Sequence, residues 1–329
     1  MHGPEGVPKY PSRMQVYEGS AGLGGSVRGC VLTVGNFDGL HLGHRALLDA
    51  VLARARALGR RSALYTFDPH PRRVLFPDQP LPQLMTWEQL RIELEACGLD
   101  ALVREPFTHA FAALAPDEFL RDVIAERVAP AEVYVGRDFH FGKGRAGSGE
   151  WLRASAPAHG IGVEIIDQVR VGGRDVSSTR VRDALLRGDA AEAALCLGRP
   201  YTIWGRVVLG DQRGRTLGFP TANLAPENEL VPAHGVYATR VRLFDGDRPG
   251  AHSLAGVTNV GVRPTFEPGR VGVETHLLDF SGDLYGRRIA VAFHAQLRGE
   301  RRFSGPDELA RQIALDAQAA RRVLEAGAP

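Results

Sequence analysis

The sequence predicts an α/β plus β chain: a parallel sheet wrapped by helices in the first half, and an antiparallel barrel with a terminal helix in the second. Three observations predict it. Short apolar runs alternate with helical-period segments as far as about residue 166. Beyond Gly198-Arg199-Pro200 the pattern becomes short strands punctuated by turn residues. The length, 329 residues, suffices for two buried cores, and the change of pattern places the domain boundary near residue 198.

In the first half, strands are expected at 31–34, 63–67, 101–103, 133–135 and 163–166. Helices are expected at 45–58, 87–97, 117–128 and roughly 150–159. The first carries Leu47, Leu48, Val51, Leu52, Ala55 and Leu58 at helical spacing, and Thr86 with Gln89 forms a capping box for the second. Residues 19–28, rich in Gly and Ser, read as a loop. Residues 180–197 read as one or two helices broken near Gly188-Asp189. Strands follow at 201–209, 236–244, 254–260, 273–280 and 289–297, separated by turns such as Asp245-Gly246-Asp247 and Ser281-Gly282-Asp283. A last helix at 307–326 puts Leu309, Ile313, Ala317, Ala320 and Leu324 on one face, to pack on the barrel.

Composition narrows the function. Net charge is +2, so no global field favours nucleic acid or a membrane surface. No apolar stretch approaches the roughly 20 residues of a membrane span. Residues 1–13 lack the apolar core of a signal peptide. Cys30, Cys97 and Cys196 stand apart in apolar or helical contexts and read as reduced core thiols of a cytoplasmic protein. Only Lys9 and Lys143 are lysines, so an isolated arginine carries little information and Lys143, in a Gly-rich loop, carries more.

Two segments carry phosphate chemistry. Gly35-Asn36-Phe37-Asp38-Gly39-Leu40-His41-Leu42-Gly43-His44 lies between a strand and a helix. Backbone N–H groups and the positive helix end face a ligand there, and imidazoles can donate to a phosphoryl oxygen as charge builds on it. Far along the chain, Val176-Ser177-Ser178-Thr179-Arg180-Val181-Arg182 puts three hydroxyls before a helix and two arginines in its first turn. Hydroxyls there serve as N-caps; arginine opposes the macrodipole unless an anion is bound. The Thr66–Pro71 segment and Gly136-Arg137-Asp138 also follow predicted strand ends, where α/β sheets bind ligands.

These segments, with Phe141-Gly142-Lys143-Gly144-Arg145, resemble the adenylyltransferase half of prokaryotic bifunctional riboflavin kinase/FAD synthetases. Leu197-Gly198-Arg199-Pro200-Tyr201, Leu217-Gly218-Phe219-Pro220-Thr221-Ala222-Asn223, Gly235-Val236-Tyr237-Ala238, the run from Asn259 to Phe266, Glu274-Thr275-His276 and Leu284-Tyr285-Gly286 resemble the kinase half, in order. The resemblance spans about residues 30–325. It implies a Rossmann-like nucleotidyltransferase domain over 1–198 and a barrel riboflavin kinase domain over 199–329.

The resemblance further implies two reactions, riboflavin with ATP giving FMN and ADP, then FMN with ATP giving FAD and pyrophosphate. His41 and His44 would act on the ATP α-phosphate. Gly35, Phe37, Asp38, Gly39, Gly43, Ser177, Ser178, Thr179 and Arg180 would hold nucleotide. His70, Pro71, Asp138 and Phe141 would line the flavin. Glu274 would be the kinase base, Thr221 and Asn223 the Mg²⁺–ATP ligands, and Gly210, Gly214, Gly218 and Pro220 the phosphate approach. That loop is no Walker A motif, since no Gly-Lys-Ser/Thr follows. An acidic residue is expected about where Ser148 stands.

Other readings stay in view. Another His-x-Gly-His nucleotidyltransferase fits the first half but not the Pro-Thr-Ala-Asn segment. A class I aminoacyl-tRNA synthetase would carry a lysine-rich second loop. A flavin-binding regulator would have lost residues that are intact here. Aromatic residues Phe37, Phe67, Phe141 and Tyr237 suit flavin contact or core equally. Oligomeric state is not legible.

Overall fold

A computed structural model describes residues 14–79, 81–210, 218–262 and 271–327. Residues 1–13, Gly214, Arg215 and the segment from Arg263 to Phe266 lie outside the described residues. The chain packs as two compact units. The first comprises the described residues up to Phe37, then Gly43–Leu81 and Gln89–Val169; the second comprises Asp38–Leu42, Pro82–Glu88 and the described residues from Arg170.

Among the described residues of the first unit, six strands form an all-parallel sheet: β1 (Gln15–Glu18), β2 (Val31–Val34), β3 (Ser62–Asp68), β4 (Ala101–Pro106), β5 (Glu132–Gly136) and β8 (Gly162–Ile166), in the order β1-β4-β3-β2-β5-β8. Two short strands, β6 (His140–Phe141) and β7 (Gly147–Ser148), pair with each other. All four residues of β2 are buried, so both its faces are covered, as a central parallel strand requires. The strand order reverses between β2 and β5, and Gly35–Phe37 and Gly136–Asp138 leave those two carboxyl ends.

The expected helices form, with differences. Helix α1 (Leu42–Leu58) buries Leu47, Leu48, Val51, Leu52 and Ala55. Short α2 (Pro71–Leu75) precedes α3 (Trp87–Ala96) and α4 (His109–Ala112). Helix α5 (Pro116–Glu118) runs into a wider-wound turn, Phe119–Val128, closed by Ala129 N donating to Ile124 O at 2.8 Å. Its Phe119, Leu120, Val123 and Ile124 pack on Leu32, Val34, Tyr65 and Val103 of the sheet. Helix α6 (Gly149–Ser155) continues as a tighter turn over Ala156–His159.

Two expectations are corrected here. Strand β1 was not anticipated; it pairs with β4 at the sheet edge. The 19–28 segment is more than a loop. Ser20, Leu23 and Val27 are buried, and Ser20 N donates to Glu105 Oε2 at 2.6 Å. Tyr65 Oη donates to that same oxygen at 2.7 Å, and burial raises the tyrosine pKa.

In the second unit, a hairpin of β9 (Arg170–Val171) and β10 (Arg174–Asp175) leads to α7 (Ser178–Leu186) and α8 (Ala190–Leu197). Asp189 caps α8, and Gly198 ends it in the left-handed region. The break expected at Gly188-Asp189 is therefore real.

Next come β11 (Tyr201–Val208), β12 (Thr221–Pro226), β13 (Gly235–Asp245), β14 (Arg248–Pro249), β15 (Leu254–Val262), β16 (Val271–Leu277) and β17 (Arg288–Arg298). The ladder β13-β15-β16-β12-β11-β17 returns to β13, so six described antiparallel strands close into a barrel. Sequence reading placed no strand at β12, whose run is short and follows Pro220.

Helix α9 (Pro306–Glu325) lays Ala320 and Leu324 against Val236, Ala238 and Val257. Those positions face outward, so alternate residues face the interior. There Thr239, Thr258 and Thr275 are fully buried and bonded Oγ1 to Oγ1 at 2.8 and 2.9 Å across three strands.

Candidate active sites

The first unit holds one part of the candidate nucleotide site. Gly35 N donates to Tyr65 O at 3.0 Å as the chain leaves β2. Phe37 is 2% exposed, and its ring lies 4.7 Å from the imidazole of His44. Phe37 is thus a core residue that backs His44, which with Gly43 stands in the first turn of α1. Asn36 Oδ1 is buried and, among the described residues, has no hydrogen-bond donor. An unmet buried acceptor costs about 1–3 kcal/mol, which a ligand N–H or O–H would relieve.

At the end of β3, the Asp68 carboxylate pairs with Arg104. His70 caps α2, its Nδ1 accepting from Arg72 N at 3.2 Å, with Pro71 at the first helical position. That bond puts the ring proton on Nε2. Asp138 is exposed just beyond β5. Phe141, expected at the flavin, is buried: it stacks on Phe139 at 5.3 Å and meets Trp151 edge-on at 5.7 Å. Lys143 is exposed, and its N–H donates to Leu114 O at 2.7 Å. Ser148 caps α6, accepting from Trp151 N at 3.2 Å. Serine supplies the cap that a carboxylate would, which accounts for its place where an acid was expected.

The second unit brings the two phosphate segments together. Ser178 Oγ donates to Asp38 O at 2.9 Å. Arg182 forms an ion pair with the Asp38 carboxylate, both side chains being less than a tenth exposed. Leu84 N and Met85 N donate to Asp38 Oδ1 at 2.8 and 3.3 Å. Burial pushes the Asp38 pKa up, with Arg182 and the two amides pulling against it. Asp38 was expected at the nucleotide; its carboxylate instead faces the protein. Gly39 adopts φ +85°, and a Cβ there would fall 2.6 Å from Leu84 Cδ1, so glycine is required twice over. Arg199 donates to Gly39 O and Leu40 O at 3.2 and 3.3 Å. His41, 7% exposed, follows directly.

Ser177 caps α7, its Oγ accepting from Arg180 N at 3.2 Å. Arg180, expected at an anion, is otherwise engaged. Its guanidinium donates to Glu192 at 2.8 Å and to the carbonyls of Val171, Arg174 and Asp175. These partners explain an arginine in a first helical turn without a bound anion. Arg182 is the residue that ties α7 to the Asp38 turn, and sequence reasoning missed that pairing. Its signal was the same misplaced positive charge.

The second candidate site lies on the outer face of the barrel. Asn223 of β12 stands opposite Glu274 of β16, and Glu274 stands opposite Asn259 of β15. Residues directly opposite share a face, so the three form one transverse polar row. Thr221 lies opposite His276, two residues from Glu274 and on its side of the strand. His276 Nδ1 donates to Pro220 O at 2.9 Å and fixes the entry to β12. Asn223 is 5% exposed, and its amide lies over Gly210. Gly218 adopts φ +83° just before Phe219-Pro220. Tyr237 is a core residue inside the barrel, its Oη donating to Ala233 O at 2.5 Å. Asn259 and His276 were legible only through strand pairing.

A parallel sheet with turns leaving its strands at the switch point, and a barrel with a glutamate flanked by two asparagines in one row, fit a two-activity nucleotide-dependent transferase. Family comparisons agree. A model described as FAD synthetase matches residues 25–180, and one described as riboflavin kinase matches 197–324. The bifunctional riboflavin kinase/FMN adenylyltransferase of Escherichia coli K12 is 40% identical over 293 residues, 89% of this chain and 92% of that protein. Those of Pseudomonas fluorescens and Haemophilus influenzae are 39% and 34% identical, each over 94% of this chain and 97% and 98% of the relative. A solved structure from Streptococcus pneumoniae, described as a macrolide-efflux protein, superposes with a TM-score of 0.83 at 28% identity, covering 94% of this chain and 99% of that one. Among the described residues no helix is long and apolar enough to cross a membrane.

The chain belongs to the bifunctional riboflavin kinase/FMN adenylyltransferase family. It phosphorylates riboflavin and adenylylates FMN.

Proposed function

We propose that FMN adenylylation is carried by residues 1–198 and riboflavin phosphorylation by residues 199–329, with the roles below. The observation that supports the kinase assignment best is the row Asn223–Glu274–Asn259. Riboflavin presents a neutral primary alcohol, so a base is needed. Glu274 accepts that proton while the oxygen attacks the γ-phosphorus of ATP and ADP departs. Thr221 and Asn223 offer hard oxygen donors, which suit Mg²⁺, and the ion would offset phosphate charge there. Gly210, Gly218 and Pro220 shape the approach for the polyphosphate.

In adenylylation the FMN phosphate is already ionised, so no base is required. It attacks the α-phosphorus of ATP and pyrophosphate leaves. His41 and His44 donate to oxygens whose charge grows in the transition state. The N–H groups at the start of α7, Ser178 N–H among them, with the Ser177 and Thr179 hydroxyls, hold pyrophosphate against the positive helix end, the Ser178 hydroxyl being spent on Asp38 O. Asp138, His70 and Pro71 contact the flavin or nucleotide. ATP, riboflavin, FMN and FAD are the partners, in the cytoplasm, without nucleic acid or membrane.

Incubating the purified chain with riboflavin, ATP and MgCl₂ tests the whole scheme. Chromatography should show FMN first and FAD later. Tight flavin binding without turnover would refute it in favour of a flavin-sensing protein.

A further inference from the structure

His41 sits on the turn after β2, while the α7 amides lie some 140 residues further along the chain. Adenylyl transfer as read above needs both to face one triphosphate. Within the second unit, one residue joins them. The Asp38 carbonyl accepts from Ser178 Oγ in the first turn of α7 at 2.9 Å. Its carboxylate takes Arg182, one helical turn further on. The other carboxylate oxygen takes the amides of Leu84 and Met85, and Arg182 Nε closes the loop by donating to Pro82 O at 2.9 Å. Both charged side chains are buried, at 7% and 8% exposure, so neither faces a ligand. An aspartate three residues before His41 therefore contacts no phosphate, yet every polar atom past its Cα is tied to a different part of the cradle.

We propose that Asp38 is a positioning residue for adenylyl transfer, holding the His41 turn and the start of α7 in fixed relation. The inference rests on the reading that those two segments carry the reaction. Its physical content is preorganisation: a shift of about 1 Å in such a constellation costs about 10²-fold in rate. Ground-state ATP binding, spread over the whole nucleotide, is less sensitive to that shift than the reacting geometry is.

The test uses the full chain, measuring both activities on each variant. Asp38→Asn keeps the acceptor for Leu84 and Met85 but removes the charge that Arg182 needs. It should lower kcat for FAD formation about 100-fold, move the KM for ATP less than about threefold, and leave FMN formation unchanged. Arg182→Lys should fall in the same parameter, and the double variant should be no worse than the poorer single, since both remove one device. Ser178→Ala deletes one bond of the hub and should give a smaller fall in kcat, which keeps the test open if Asp38→Asn folds poorly.

Loss of both activities together in Asp38→Asn and Ser178→Ala, a rise in KM alone, or a kcat for FAD within twofold of wild type would overturn the proposal. His41→Ala separates the two layers. If it leaves FAD synthesis intact, the underlying reading fails. If it abolishes FAD synthesis while Asp38→Asn does not, only the hub fails.

Discussion

Gly210→Ala isolates the geometry of Asn223. An added Cβ would lie 2.2 Å from Asn223 Nδ2, 2.3 Å from Cγ and 2.6 Å from Oδ1. Ordinary contact begins near 3.4 Å, so the amide must retreat by about 1.2 Å, the shortfall between 2.2 and 3.4 Å. Asn223 is 5% exposed and flanked by β11 and β16, so it cannot swing into solvent. A displacement of about 1 Å at a reacting centre costs about 10²-fold, or about 2.7 kcal/mol of barrier. The kcat for riboflavin phosphorylation should therefore fall about 100-fold. The assay follows FMN production from riboflavin and ATP by fluorescence or chromatography, with FMN-to-FAD conversion in the same preparation as control. FAD formation should be unchanged. A kinase kcat within about threefold of wild type would show that Asn223 tolerates the shift, and its proposed place at the nucleotide would be wrong.

Further outcomes follow from the same geometry. Glu274→Gln should lower FMN formation by about 10²–10⁴ while FMN still becomes FAD; equal loss of both steps would contradict separate sites. His41→Ala or His44→Ala should lower FAD formation by about 10²–10³ with the kinase step intact, as initial rates with FMN would report. Glu192 offers a pH test. Its hydrogen bond from Arg180 holds the carboxyl below the usual glutamate value, burial opposing and the Arg180 and Arg174 charges assisting. A depressed folded pKa stabilises above the unfolded value near 4.5 and is lost as pH falls through the folded value. Glu192→Gln should thus lower Tm by about 1–3 °C at pH 7, the gap closing progressively below about pH 4.5. A gap unchanged at pH 3.5 would remove the ion pair from the account.

Much of the fold was legible because periodicity survives without tertiary context. Strands β2, β3, β5 and β8 carry short apolar runs and helix α1 a helical-period apolar face, and their observed limits differ little from those read. Strand β12 was not legible: Thr221–Pro226 becomes a strand by pairing with β11 and β16, which sequence spacing does not report. Residues 19–28 looked like a bare loop because their burial depends on Glu105, 85 residues from Ser20. Site residues divided in the same way. Glu274, Thr221 and Asn223 were found as types in a motif, and pairing then set Asn223 opposite Glu274. Asp38 and Phe37 were read as ligand contacts because they stand in the Gly35–His44 motif that carries the resemblance. Their side chains in fact point into protein, toward Arg182 and His44. The thiols divide too: Cys30 and Cys196 are buried, the former pushed up to about 12 by that burial, whereas Cys97 is half-exposed.

The closure of the barrel has a consequence for how this enzyme can fail. A slip of one residue in β16 would turn Glu274 inward and Thr275 outward. It would break the hydroxyl relay through Thr258 to Thr239 at the same stroke. A slipped β16 therefore loses the Asn223–Glu274–Asn259 row and the buried threonine relay together, so the outer polar row and the closed interior stand or fall as one.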